Sequence, residues 1–372
     1  MVNVMKNNSL KTVPINNNLT DNCNDFEANF TLANTFIEKG HWEAAYPYLK
    51  TAVETNPNYA QGFNHLGIFH TKNKNYTEAI NNFKKALQID FDLTEAHYNL
   101  ASLYIERKEY NMALSHFKEV VLAKPDDYET YYFMGSCYIH LGLEKEAESF
   151  FTESLRLKPD YIPPAINLCK LLIKKDDFTK AKNILLYVLK NDSSIPEVHF
   201  LLGIIYKIQK KYSKAMRHLR ETVLKDKNNN EAYNLLGECC MELGMDKQAE
   251  PFFAMAIKPD TAYLSAFYNL GSLYYKQKKY DDAILFLDEY IKTKEASDSI
   301  NSIWSQTTHS DEMVPLYNLL GHCYTKNNNP TKARTIWEKS LAMQPQQQDI
   351  KKALADLPQS SRLHKRVNLV VN

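Results

Sequence analysis

Six cysteines, eleven histidines and 44 acidic side chains are where this chain could carry nucleophilic, metal-binding or acid–base chemistry. The cysteines are Cys23, Cys137, Cys169, Cys239, Cys240 and Cys323, and none stands in the C-x-x-C spacing that a zinc site or redox couple uses. Five of them fall among apolar or small residues, the setting of a buried free thiol. His65, His97 and His199 lie in helical stretches with no carboxylate or cysteine at ligand spacing. H-E-x-x-H, G-x-S-x-G, the phosphate-binding glycine loop and G-x-G-x-x-G are all missing from the sequence. The expectation is a protein that is not an enzyme and takes no metal and no cofactor.

The spacing of small residues says more. Ala33, Gly67, Ala101, Gly135, Cys169, Gly203, Gly237 and Gly271 follow one another at intervals of 34 residues. Gly321 comes 50 residues after Gly271, one period plus an insertion of 16. Self-similarity at this period marks a repeat array. Within residues 94–127, Ala96, Leu100, Ala101 and Tyr104 have helical spacing. Tyr110, Ala113, Phe117 and Val120 resume it after the polar break at Arg107, Lys108 and Glu109, and Pro125 ends the second helix. Each repeat is therefore an antiparallel helical hairpin that must stack on its neighbours to cover its apolar faces. Position 20 of every repeat is alanine, from Ala45 to Ala333, and position 24 is a large filler such as Phe83, Leu185 or Trp337. Small against large at fixed spacing is the arrangement of a dense helical core.

Composition narrows the partners. Lys and Arg total 45 against 44 acidic residues, for a net charge of +1 and a pI near 7.6. Nucleic-acid binders usually carry a basic excess, so no nucleic-acid partner is expected. The polar, Asn-rich start lacks the apolar core of a signal peptide, and no stretch reaches the ~20 apolar residues of a membrane span. The chain reads as cytoplasmic.

The period, with Leu-Gly, then Tyr, Ala, an aromatic residue and a late Pro, resembles the tetratricopeptide repeat. Nine repeats are expected: eight at the uniform period over 26–297, and a ninth at 314–347. They are preceded by a disordered polar tail (1–25), interrupted by an insertion loop (298–313), and followed by a capping helix (348–357) and a C-terminal tail (358–372). The resemblance implies an all-α fold, a right-handed α-α superhelix of hairpins whose first helices line a concave groove. It also implies that positions 2, 5, 9, 12 and 13 of those helices face the groove. Carried over to this sequence, the partner-binding set is Asn64, Tyr98, Tyr132, Phe200, Asn234, Tyr268 and Asn318 at position 5, with Lys170 at position 9. Asn99, Asn167 and Asn269 at position 6 resemble part of the asparagine ladder of O-linked N-acetylglucosamine transferases. Rings and amides suit an extended peptide, since rings bury area at low entropic cost and amides pair with main-chain groups. Glu95, Glu106 and Glu129, then Lys170, Lys174 and Lys207, would give the groove an acidic stretch followed by a basic one.

Within the insertion, Ile300, Ile303 and Trp304 have helical spacing, Asp298 can cap a short helix, and Trp304 is a candidate hot spot. The functional expectation is a non-catalytic protein–protein interaction scaffold that holds an extended partner segment in its groove. Its rivals are a self-assembling scaffold peripherally associated with a membrane or organelle surface, and a regulatory subunit of a transferase.

Overall fold

A 34-residue hairpin leaves only a few residues to reverse the chain, and the turn that does so is the same in every repeat. The computed structural model describes residues 26–257, 263–301 and 310–358. Fifteen positions into each repeat the backbone enters the left-handed region, at Gly40, Lys74, Lys108, Gly142, Asp176, Lys210, Gly244, Lys278 and Asn328. The N–H of this residue reaches back three residues, as Lys108 does to the Ile105 carbonyl (2.9 Å), and the next N–H reaches back five, as Glu109 does to Tyr104 (2.8 Å). That pair of bonds is the Schellman stop, which satisfies the last carbonyls of the first helix.

The described residues form nineteen helices and no strand. The chain divides into two compact units, Met1–Asn191 and Asp192–Asn372. The first holds α1 (Phe26–Glu38), α2 (Trp42–Thr55), α3 (Ala60–Lys72), α4 (Tyr76–Ile89), α5 (Thr94–Glu106), α6 (Tyr110–Ala123), α7 (Tyr128–His140), α8 (Glu144–Leu157), α9 (Ile162–Lys174) and α10 (Phe178–Asn191). The second holds α11 (Pro196–Ile208), α12 (Tyr212–Lys225), α13 (Asn230–Glu242), α14 (Asp246–Ala256), α15 (Leu264–Lys276), α16 (Tyr280–Asn301), α17 (Ser310–Lys326), α18 (Pro330–Met343) and α19 (Gln348–Ala355). Within each unit every helix packs on its chain neighbours, and first helices also touch the first helix of the next repeat, as α3 touches α5 and α13 touches α15.

The core joins the small residue at position 8 to the filler at position 24. A Cβ added to Gly67 would lie 2.5 Å from the Phe83 ring, one on Gly135 2.7 Å from Phe151, and one on Gly321 2.2 Å from the Trp337 indole nitrogen. Where position 8 is Cys169, its thiol donates to the Ala181 carbonyl at 3.4 Å, so the alanine row lies against the same crossing. All nine position-20 alanines are fully buried. The five cysteines in the described residues are buried and unpaired, and burial pushes the Cys137, Cys169, Cys239 and Cys323 thiols up to about 12. Such thiols stay protonated and are poor nucleophiles at neutral pH.

The segment expected as a loop at 298–313 is partly helical. α16 runs through Asp298 to Asn301 and α17 begins at Ser310, so Asp298 lies inside a helix rather than capping one. Trp304, the N-terminal tail and residues 359–372 lie outside the described residues. At the C-terminal end, Ile350 of α19 and Leu357 join the cluster built on Leu320, Ala333 and Trp337.

Candidate functional site: the first-helix face

Three consecutive first helices of the first unit, α5, α7 and α9, enclose a cavity of about 500 Å³. Its floor is apolar, formed by Phe133 and Cys137 from α7 and Leu171 from α9, with Ile105 and Ile139 at its sides. Tyr132, Asn167 and Lys170 of the expected groove set all line it, together with Ser136, His140, Glu144 and Lys174. Helical spacing explains why these side chains converge: positions 5, 9, 12 and 13 lie on one stripe of a helix. The Tyr132 ring is held edge-on by Tyr161 (centroids 5.7 Å apart) and rests against Phe133. Ser136 donates its hydroxyl to the Tyr132 carbonyl at 3.0 Å, so its proton is already spent within the helix.

The rim is braced by a clasp that recurs along both units. In six repeats the first residue of the second helix meets a residue 30 positions later, at the end of the next repeat's first helix. Tyr76 donates to Glu106 (2.7 Å), Lys174 to Glu144 (2.5 Å), Tyr212 to Glu242 (3.0 Å) and Lys276 to Asp246 (2.9 Å). Tyr110 and His140 fill the same two places with stacked rings, 4.6 Å apart and nearly parallel. Several charges expected to face a ligand are therefore already paired. Glu106 and Lys174 sit in clasps, Glu95 accepts from Lys124 at 3.3 Å, and Lys207 pairs with Glu238. The expected acidic-then-basic pattern is thus largely compensated inside the protein.

Other members of the expected set are placed differently. Tyr98 is only 1% exposed, edge-on to Phe117 and Phe133, so it is a packing residue between repeats and not a platform for a ligand. Asn64 and Asn99 are also buried, and Asn99 donates its amide to Asn64 at 3.1 Å. This couples position 5 of one repeat to position 6 of the next. The second unit repeats the coupling: Asn269 donates to Asn234 (2.9 Å), and both amides donate to Glu238 (3.0 and 2.7 Å). Phe200 and Tyr268 are half-buried against the cores of that unit. Asn318 donates to Gln347 and accepts from Ser340, both at 2.6 Å, tying its hairpin to the start of α19. The amides of Asn64, Asn99, Asn234 and Asn269 therefore serve first as inter-repeat ties, whereas Asn167 lines the cavity.

Sequence reasoning missed Ile105, Tyr110, Ile139, His140 and Glu144, although positions 12, 13 and 17 of the repeat carried the signal. It also missed two histidine pairs at a separation of 19. His97 and His116 bring their Nδ1 atoms to 2.9 Å, and His199 and His218 to 3.1 Å. Among the described residues no group of three or more His, Cys, Asp or Glu side chains is disposed to hold a metal ion.

Family profiles described as tetratricopeptide repeats match residues 128–161 and 314–347 in one case and 265–293 in another. A third, the C-terminal ARM domain of tetratricopeptide repeat protein 21, matches residues 5–131. The chain belongs to the tetratricopeptide repeat family. No curated protein matches this tetratricopeptide repeat chain over its sequence. Among solved structures, Cut9–Hcn1, an APC/C hetero-tetramer, is similar at 16% identity and a TM-score of 0.50, over 89% of this chain and 63% of that one. PilF of Pseudomonas aeruginosa is similar at 19% identity and a TM-score of 0.47, over 53% of this chain and 90% of that one. YrrB, a TPR protein with an unusual peptide-binding site, is similar at 20% identity and a TM-score of 0.42, over 48% of this chain and 93% of that one. At these identities the likeness is one of fold. Among the described residues no helix is long and apolar enough to cross a membrane.

Proposed function

We propose that the protein is a non-catalytic interaction scaffold that holds an extended segment of a protein partner along the first-helix face of its repeats. The observation that carries this reading is the cavity between α5, α7 and α9. It has an apolar floor, and an amide, a tyrosine and a lysine stand around it. About 500 Å³ lies within the range of sites that take one or two side chains or a small ligand. Ile139, 37% exposed at its edge, is a surface isoleucine that no core requires. An aliphatic or aromatic partner side chain entering the cavity would bury Ile139 and Ile105, while Asn167 and the tyrosine hydroxyl stand ready for main-chain groups.

The buried Asn64–Asn99 and Asn234–Asn269 ties serve this function indirectly. They fix the register of successive first helices, so the face is preorganised before a partner arrives. The test is affinity purification with full-length Ile139→Glu/Lys170→Glu protein beside the unaltered chain. Both positions are exposed, so helical content and urea midpoint should match the parent. Loss of a specific co-purifying protein from the variant supports the reading, and recovery at parental level contradicts it.

A further inference from the structure

A second cavity, about 230 Å³, opens on the opposite edge of the first unit, where the link between α4 and α5 meets the last turn of α6. It is lined by Phe91, Asp92 and Thr94 from the link and the start of α5, and by Glu119 and Leu122 from α6. Phe91 is 61% and Leu122 76% exposed, two of the three most exposed large apolar side chains in the described residues. Neither the Asp92 nor the Glu119 carboxylate has a hydrogen-bond or ion-pair partner among the described residues, in contrast to the paired carboxylates on the first-helix face.

The frame beneath this patch does not need the aromatic ring. His97 holds the link through its Nε2–H, donated to the Phe91 carbonyl at 2.8 Å, while its Nδ1 meets His116. Three repeats later the same frame recurs, with His199 bonded to the Ser193 carbonyl at 3.2 Å and to His218. There the place of Phe91 is taken by a serine. The link closes there without a ring; Phe91 sets its ring edge-on to His97 (centroids 5.1 Å apart) and leaves the rest of it exposed, more than the frame requires. Two exposed apolar side chains beside two unpaired carboxylates make a surface that attracts a cation with an apolar neighbour.

We propose that the Phe91–Leu122 edge is a second docking surface, occupied by a partner segment that presents an arginine beside an aliphatic residue. It is independent of the first-helix face. The guanidinium stacks on Phe91 and pairs with Asp92 and Glu119, a planar geometry that lysine matches less well. The aliphatic neighbour covers Leu122. The cavity is smaller than the roughly 300 Å³ of sites for drug-sized ligands, which fits a single long side chain. Charge complementarity selects this occupant over an acidic one, since like charges facing each other across an interface are disfavoured.

The test is a display library of random dodecapeptides selected on the full-length protein. The proposal expects a family of clones with arginine next to leucine, isoleucine or valine. Capture of that family should fall at least about tenfold on Asp92→Asn/Glu119→Gln protein, the scale of one lost charged contact. It should fall comparably on Phe91→Ser, the residue the second frame already uses, so that fold is preserved. Capture should be unchanged on Ile139→Glu/Lys170→Glu protein. Absence of an arginine-aliphatic family, or a family captured equally by the Asp92/Glu119 variant, would overturn the proposal.

Discussion

The left-handed turn offers a prediction with opposite signs at two kinds of site. Gly142 has φ +74°, and a Cβ placed on it would meet nothing within 4 Å, so Gly142→Ala isolates the backbone cost from any steric one. A non-glycine residue in the left-handed region costs roughly 1–2 kcal/mol. Alanine recovers about 0.4–1 kcal/mol of that by restricting the unfolded chain. The net expectation is a loss of about 0.5–1 kcal/mol. Lys108 occupies the equivalent place one repeat earlier at φ +63°, in an exposed turn. Lys108→Gly should therefore gain a similar amount. The two variants together should nearly cancel, because both act on the backbone of their own turn and leave the Tyr110–His140 stack that joins the flanking helix ends unaltered. Equilibrium urea unfolding followed by far-ultraviolet circular dichroism reads both shifts against one slope. Equal signs for the two substitutions, or no shift for either, would refute the assignment of this position to a left-handed helix stop.

Three further outcomes follow from the packing and the titratable groups. Ala147→Leu adds volume at a fully buried crossing and should cost about 1–3 kcal/mol. It should also broaden the unfolding transition by weakening coupling between neighbouring hairpins, measured by the slope of the urea curve. Glu238→Gln removes the charge that accepts from Asn234 and Asn269 and pairs with Lys207, and should cost roughly 1 kcal/mol in the same assay. Burial holds His65, His116 and His218 down to about 4, against an ordinary histidine value of 6.5; His97 and Lys84 add to the effect on His116, and His199 and Arg217 to that on His218. The unfolded chain then takes up protons first as pH falls. Stability should be level above about pH 7 and decline between 6.5 and 4, with the buried His65 contributing up to about 1.4 kcal/mol per pH unit in that window. His65→Phe should flatten this slope, and an unchanged pH profile in that variant would count against the burial argument.

The period of 34 and the pairing of a small residue with a large one were enough to read an all-helical repeat fold, because both follow from how closely two helices cross. The turn was less legible. Six of its nine left-handed positions carry Lys, Asp or Asn rather than Gly, so composition alone did not mark it. The clasp at a separation of 30 was hidden for another reason: its geometry is constant while its chemistry changes from Tyr–Glu to Lys–Glu to stacked Tyr–His. Tyr98 and Tyr132 show the limit of positional carry-over. They are the same residue at the same repeat position, yet Tyr98 is enclosed by Phe117 and Phe133 whereas Tyr132 opens onto the cavity. What decides between them is the side chain contributed by the next repeat, which a position-by-position reading does not weigh. The same applies to Asn64 and Asn318, whose amides look free in the sequence and are consumed by partners 35 and 29 residues away.

The most direct measurement of the central claim places a photo-crosslinking residue at position 139, on the cavity edge, and separately at Glu146, an exposed residue of the second helix α8. Each full-length variant is irradiated in cell extract, and the attached peptide is identified by mass spectrometry. Docking along the first-helix face predicts that position 139 captures one segment of one partner, that position 146 does not, and that adding Lys170→Glu to the 139 variant abolishes capture. Equal capture at both positions, or capture at 139 that survives Lys170→Glu, would contradict it.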